Sequence, residues 1–279
     1  MSKIGRGKTI QIFLPDGSPN GIKLAEITSS IEKAILIPRN KLQEAANRNE
    51  SKQVGIYFLF GIDEDKSKPL VYIGETKNGI SRIKNHGQNK DFWNYALLII
   101  SKTKSFTKTH IEYLEDLTIR KAKEANRFEF ENSVSPKTYD IPEHLEADLL
   151  DSFDTIKVLT TTLGFPLFEK TEKTKEVFYI KGKGVVAEGD ITNEGFVVYK
   201  GSKVTVENVS SFGVSLINRK QKLIDDNILS LQGDCYEFNE DYIFSSCSTA
   251  GAIILGRNTN GWSKWKNKEG KSLDEVYRK

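Results

Sequence analysis

The sequence predicts a mixed α+β fold built from more than one module, and three observations carry that expectation. Short apolar runs, rich in β-branched and aromatic residues and bounded by turn residues, recur along the chain as strands do. Two long segments instead space their apolar residues as helices do. Between residues 169 and 176 the polar, low-complexity stretch EKTEKTKE separates two such mixtures as a linker. At 279 residues the chain is long for a single domain, which agrees with a modular reading.

Residues 1–50 read as an N-terminal β-rich unit. Thr9–Leu14 and Ile22–Ile27 are strands around the turn-rich segment 15–21, Ala34–Ile37 is a third, and Asn40 is placed to cap a helix through Leu42, Ala45 and Ala46. Residues 51–168 form the next module. Val54–Phe60 and Leu70–Gly74 are two strand-like runs joined by a charged loop, a β-hairpin. Strand residues two apart share a face, so Tyr57 and Tyr72 are able to stand together, each with a hydroxyl that needs a polar partner. Taken alone, each is an ordinary strand tyrosine. Asn78-Gly79 then opens a helix, Ile80–His86, whose Arg82 and His86 lie one turn apart on one face. Phe92–Ile100 is a buried strand, with Phe92 and Trp93 read as core anchors rather than base-stacking residues.

The clearest helix is Thr107–Ala125, with an inward stripe of Ile111, Leu114, Thr118 and Ala122. Glu115 sits at the border of that stripe and Glu112 one turn earlier; a carboxylate so placed suits a hard divalent cation, or pairs with a neighbouring base on the helix surface. Phe128–Asn132 returns as a short extended piece. Pro142–Leu159 is an acidic amphipathic helix that closes the module, through Leu145, Leu149, Phe153, Ile156 and Leu159. After the linker at 169–176, residues 177–279 form a C-terminal α+β domain: strands around glycines from Val177, a helix within 211–231, a strand at 236–244 and a buried helix at 248–255. Trp262 is read toward the core, while Trp265 stays open between core and base stacking.

Composition excludes several classes. There is no run of about 18 apolar residues, so no membrane span is expected, and the basic N-terminus lacks the apolar segment of a secretory signal. Two cysteines are too few for a disulfide framework and have no zinc-ligand spacing; a cytoplasmic location is expected. The net charge is only +3, but its distribution is uneven. Lys77–Lys108 holds seven Lys/Arg and one acid, Asp91, whereas Asp140–Asp154 holds six acids and no Lys or Arg. Such a basic face suits a polyanion, and Lys84 and Lys90 on it are candidate substrate contacts.

Gly55-Ile56-Tyr57, Tyr72-Ile73-Gly74, Arg82 ten residues after Tyr72, His86 and a helix bearing Glu115 together resemble the GIY-YIG nuclease family over residues 53–132. The remainder is similar to a bacterial subgroup that adds an N-terminal β unit and a C-terminal domain of unknown function. The resemblance implies a small three-stranded antiparallel sheet flanked by helices and a metal-dependent endonuclease acting on nucleic acid, with DNA expected. It implies Mg²⁺ (or Mn²⁺) on Glu115 and an attacking water activated or oriented by Tyr57. Tyr72 would position that water or the scissile phosphate, Arg82 would stabilise the transition-state charge, and His86 would assist proton transfer or hold phosphate. Gly74 and Asn132 would belong to the substrate site, with Asn126 competing for the role of the family asparagine. Two other readings accompany this one: a nucleic-acid-binding module with an inactive nuclease core, and a partner-binding protein that uses its acidic helix.

Overall fold

The computed structural model describes residues 7–63, 65–87, 90–132, 139, 141–170, 176–182 and 184–278. The chain forms two compact units, one of Met1–Glu64 with Lys68–Lys170, the other of Thr171–Lys279 with the short piece Asp65–Ser67. Both mix helix and strand, so the molecule is α+β as the sequence predicts.

The first unit contains, in chain order, β1 (Ile10–Phe13), β2 (Lys23–Ile27), β3 (Glu32–Pro38), α1 (Leu42–Ala46), β4 (Gly55–Gly61), β5 (Leu70–Thr76), α2 (Ile80–Gly87), β6 (Trp93–Ser101), α3 (Lys108–Ala125), β7 (Glu129–Phe130) and α4 (Glu143–Thr162). Its strands make one seven-stranded sheet in the order β1-β2-β3-β6-β4-β5-β7. All neighbours are antiparallel except β5 and β7. The three strands expected for the central module, β4, β5 and β6, lie side by side in it. Residues 1–50, expected as a unit of their own, instead contribute three of the seven strands of this sheet: β3 pairs with β6 from Glu32↔Ser101 to Pro38↔Tyr95. The reason lies in β3 itself. Ala34, Ile35, Leu36 and Ile37 are all buried, and a strand apolar on both faces has to be interior. At the start of α1, Lys41 rather than Asn40 is the N-cap, and no side chain caps the helix.

Strand parity divides the core in two. Ile56, Phe58, Phe60, Val71 and Ile73 face one side, packing with Ile111 and Leu114 of α3 and Phe153 and Ile156 of α4. Tyr57 and Leu59 face the other, with Ala45 of α1 and Ile80 and Ile83 of α2. Every residue of the α3 stripe, Ile111, Leu114, Thr118 and Ala122, is fully buried. Thr107 and His110 form a capping box at the start of α3, and Asn126 ends it in the left-handed conformation. Beyond α4 the chain turns back over β4, where Phe165 stacks on Phe60 at 4.0 Å and Phe168 meets Phe58 edge-on at 6.1 Å. Each large side chain buried this way contributes about 1.5–3 kcal/mol.

The second unit holds β8 (Phe178–Gly182), β9 (Val185–Thr192), β10 (Gly195–Val198), β11 (Lys203–Thr205), α5 (Val214–Asp225), β12 (Leu229–Gln232), β13 (Cys235–Phe238), β14 (Tyr242–Phe244), α6 (Cys247–Leu255), α7 (Gly261–Lys264) and α8 (Leu273–Tyr277). Two sheets, β14-β10-β9-β8 and β11-β13-β12, pack with the largely buried helix α6. The single strand expected at 236–244 is two, β13 and β14, broken around Asn239-Glu240. Of the two tryptophans, Trp265, left open by the sequence, is the core residue, while Trp262, read toward the core, packs against it only in part. Trp265 is fully buried, stacks near Phe196 and donates Nε1–H to the Cys247 carbonyl at 3.0 Å. Trp262 is half-buried beneath the Arg278 guanidinium at 3.5 Å. Among the described residues no helix is long and apolar enough to cross a membrane. Most of the expected linker, residues 171–175, lies outside the described residues.

Asp190 of β9 has no exposed surface, and its Oδ1 accepts from the Ile191 N–H (2.6 Å) and the Tyr277 hydroxyl (3.4 Å). Burial pushes its carboxyl up to about 6, with the Glu176 charge adding to the rise and those two bonds opposing it. The folded state therefore holds a proton that the unfolded state releases. This group's contribution to stability is full below about pH 4 and is lost as pH rises through about 6, a swing of about 3 kcal/mol. Calorimetric melting of Asp190→Asn should show a flatter dependence of Tm on pH across that window than the native chain; an unchanged slope would contradict the assignment.

Candidate functional site

The site is assembled around the register of β4 and β5. Tyr57 pairs with Gly74 and Leu59 with Tyr72, so the two tyrosines are diagonal neighbours on the α1/α2 face. Their ring centroids lie 6.0 Å apart at an interplanar angle of 31°. Tyr57 is fully buried and lies against Gly74: a Cβ on residue 74 would come within 2.7 Å of both Cζ and the hydroxyl of Tyr57. Gly55 answers a similar constraint on the other flank of β4, where a Cβ would meet the Ile99 carbonyl oxygen at 2.1 Å. The two glycines are thus required by close approach, one to a backbone and one to the tyrosine ring.

Arg82 comes from α2, which buries Ile80 and Ile83 and leaves Arg82 exposed. The Tyr57 hydroxyl meets both Tyr72 and Arg82. Burial pushes the Tyr57 phenol far above its ordinary range, Tyr72 adds to the rise, and Arg82 opposes it. Tyr72 is raised too, first by burial and then by the negative charge of Glu115 and Glu75, against the hydrogen bond from Tyr57 and the Arg82 charge. Both phenols consequently keep their protons at neutral pH and present donors rather than bases. Lys90 sits 5.0 Å above the Tyr72 ring and also reaches the carboxylate of Glu131 at 3.8 Å.

Glu115 arrives from the opposite face of the sheet. The buried stripe of α3 holds it at the rim of β5, where its Oε1 accepts the Glu75 N–H at 3.2 Å, one residue beyond Gly74. Glu112 is paired with Lys108 at 3.3 Å. Asn132 forms a two-way clamp on β5, with Oδ1 accepting from the Ile73 N–H (2.9 Å) and Nδ2 donating to the Ile73 carbonyl (2.6 Å). That use of its amide holds the strand between Tyr72 and Gly74. Asn126 accepts from Lys68 at the end of α3. Lys84 donates to Gln43 at 2.8 Å. The side chain of His86 lies outside the described residues.

Sequence reading passed over Glu75. Its Oε2 is buried with no hydrogen-bond partner among the described residues. With Thr76, Lys77, Asn78, Ser81, Arg82 and Asn85 it lines a groove of ≈ 400 Å³. The available signal was a carboxylate in an otherwise apolar strand, directly after Gly74. Among the described residues no three of His, Cys, Asp and Glu are grouped to hold a metal ion. Glu115, whose carboxylate meets the Glu75 backbone, and the buried Oε2 of Glu75 are nevertheless oxygen donors of the kind a hard divalent cation takes, its shell completed from water and substrate.

The fold and this geometry define an α+β protein whose first unit gathers two proton-bearing tyrosines, an arginine and a carboxylate at one end of a hairpin. Compared with known families, residues 178–277, which cover most of the second unit, match DUF4357, a domain of unknown function. No curated protein and no solved structure matches the chain.

Gly74→Ala should lower unfolding stability by about 1–3 kcal/mol through overpacking. It should also move the Tyr57 ring, seen as a loss of the native Tyr57–Tyr72 contacts in NMR spectra. Unaltered stability and ring contacts would refute the interlock.

Proposed function

We propose that the first unit is a metal-dependent endonuclease that hydrolyses phosphodiester bonds in nucleic acid, with DNA the expected substrate. The observation that carries this reading is the convergence of Tyr57, Tyr72 and Arg82 on the α1/α2 face with Glu115 tied to the adjacent residue of β5. It sits with the resemblance of the two triplets to the GIY-YIG nucleases. The second unit would serve substrate choice.

Hydrolysis of a phosphodiester requires a water in line with the leaving oxygen and cancellation of charge on the nonbridging oxygens. Arg82 carries a fixed charge and a planar donor fork suited to those oxygens, and its attraction grows as negative charge develops in the transition state. Tyr72 retains its proton, so its part is to orient the water and the phosphate by hydrogen bonding rather than to act as a preformed phenolate, while the buried Tyr57, its hydroxyl turned to Tyr72 and Arg82, would hold those two groups in place. Gly74 leaves the space that holds Tyr57 in place, and Asn132 fixes the strand that carries Tyr72. Glu115 would hold the divalent cation, which when bound supplies Lewis-acid neutralisation of the phosphate.

The test is incubation of the purified full chain with supercoiled plasmid, single-stranded DNA and RNA in Mg²⁺ or Mn²⁺, beside Glu115→Gln and Arg82→Ala. Cleavage that falls by about 100-fold or more in each variant is expected. Absence of cutting in every substrate, or equal cutting by the variants, overturns the reading; salt-sensitive binding without cutting would favour the inactive-core alternative.

A further inference from the structure

We infer that Glu75 is a second carboxylate ligand of the divalent cation held at Glu115. This inference rests on the nuclease reading above and extends it to a residue outside the two triplets. Three observations meet at Glu75. Its backbone N–H donates to Glu115 Oε1 at 3.2 Å, which brings the two residues to one point at the rim of β5. Its Oε2 is buried and has no hydrogen-bond partner among the described residues. It also lines, together with Arg82, one groove of ≈ 400 Å³.

A buried carboxylate oxygen without a partner is costly, and it is retained where a cation or a donor completes it. The neighbouring field is negative: Glu115 and Glu75 both raise Tyr72, and Glu112, Glu115, Asp116 and Glu75 together raise Tyr139, after its burial. No cationic side chain is paired with Glu75 in the described part of the chain. Glu112 is paired with Lys108 and Asp116 with Arg120 at 2.8 Å, whereas Glu75 has no such ion pair among the described residues and is the one whose backbone meets Glu115. Two protein oxygens of this kind give a weak site for a hard cation, closed by substrate phosphate and water.

The test is titration of Mn²⁺ into the full-length protein, followed by electron paramagnetic resonance and by the Mn²⁺-induced rise in Tm, for the native chain, Glu75→Gln, Glu75→Asp and Glu115→Gln. Glu75→Gln keeps the backbone donor to Glu115, so the fold is preserved, and without metal its Tm should equal or exceed the native value. Mn²⁺ affinity should fall about tenfold in Glu75→Gln, in line with loss of one carboxylate interaction of about 1.4 kcal/mol, and be partly restored in Glu75→Asp. Native affinity in Glu75→Gln, with binding lost in Glu115→Gln, overturns the role of Glu75 and leaves the nuclease reading standing. Native affinity in all variants, or no Mn²⁺ binding by the native chain, overturns the metal centre itself and both proposals with it.

Discussion

The contact on which the first unit depends is the seating of the Tyr57 ring on Gly74. Two strands in antiparallel register place residue 57 opposite residue 74, and a buried aromatic ring leaves room for nothing larger than hydrogen there. Burial of that ring orders the centre of a seven-stranded sheet. It also sets the protonation of the phenol, because removing the hydroxyl from water favours its neutral form. One packing constraint thus determines both where the hydroxyl is and what it does chemically.

The remaining groups reach that point from both faces of the sheet. α2 brings Arg82 over the tyrosine face, held by Ile80 and Ile83, while α3 brings Glu115 around the rim of β5 from the other. β7 pairs with β5 only at Leu70 and Val71, so among the described residues the far end of β5 has no strand on that edge, the other edge being paired with β4 throughout. The side chain of Asn132 takes the place of such a neighbour at Ile73, and the carboxylate of Glu115 takes it at Glu75. At this end of the strand, side chains rather than another strand satisfy the backbone on that edge.

Much of this was legible in the residues. Alternation in β4 and β5 was enough to put Tyr57 and Tyr72 on one face, and helical spacing in α3 identified both the buried stripe and Glu115 at its border. What local pattern does not carry is pairing between distant segments. That Ala34–Ile37 joins β6 depends on a partner about sixty residues away, so the N-terminal strands read as a unit of their own. Glu75 was obscured for the same reason, since its contact with Glu115 spans 40 positions, and the clamp of Asn132 on Ile73 spans 59. Trp262 and Trp265 lie in one polar stretch, and which of them enters the core is decided by α6, whose Cys247 carbonyl accepts from Trp265.

The central claim is that Arg82 and Glu115 flank one phosphate beside the paired tyrosines. Its most direct test is diffraction from crystals of the protein with Mn²⁺ and an uncleavable phosphorothioate oligonucleotide, recorded at the manganese absorption edge. The account predicts an anomalous peak coordinated by the Glu115 carboxylate, with a backbone phosphate bridging it to the Arg82 guanidinium. Manganese bound away from Glu115, or an oligonucleotide that leaves Tyr57, Tyr72 and Arg82 untouched, would contradict it.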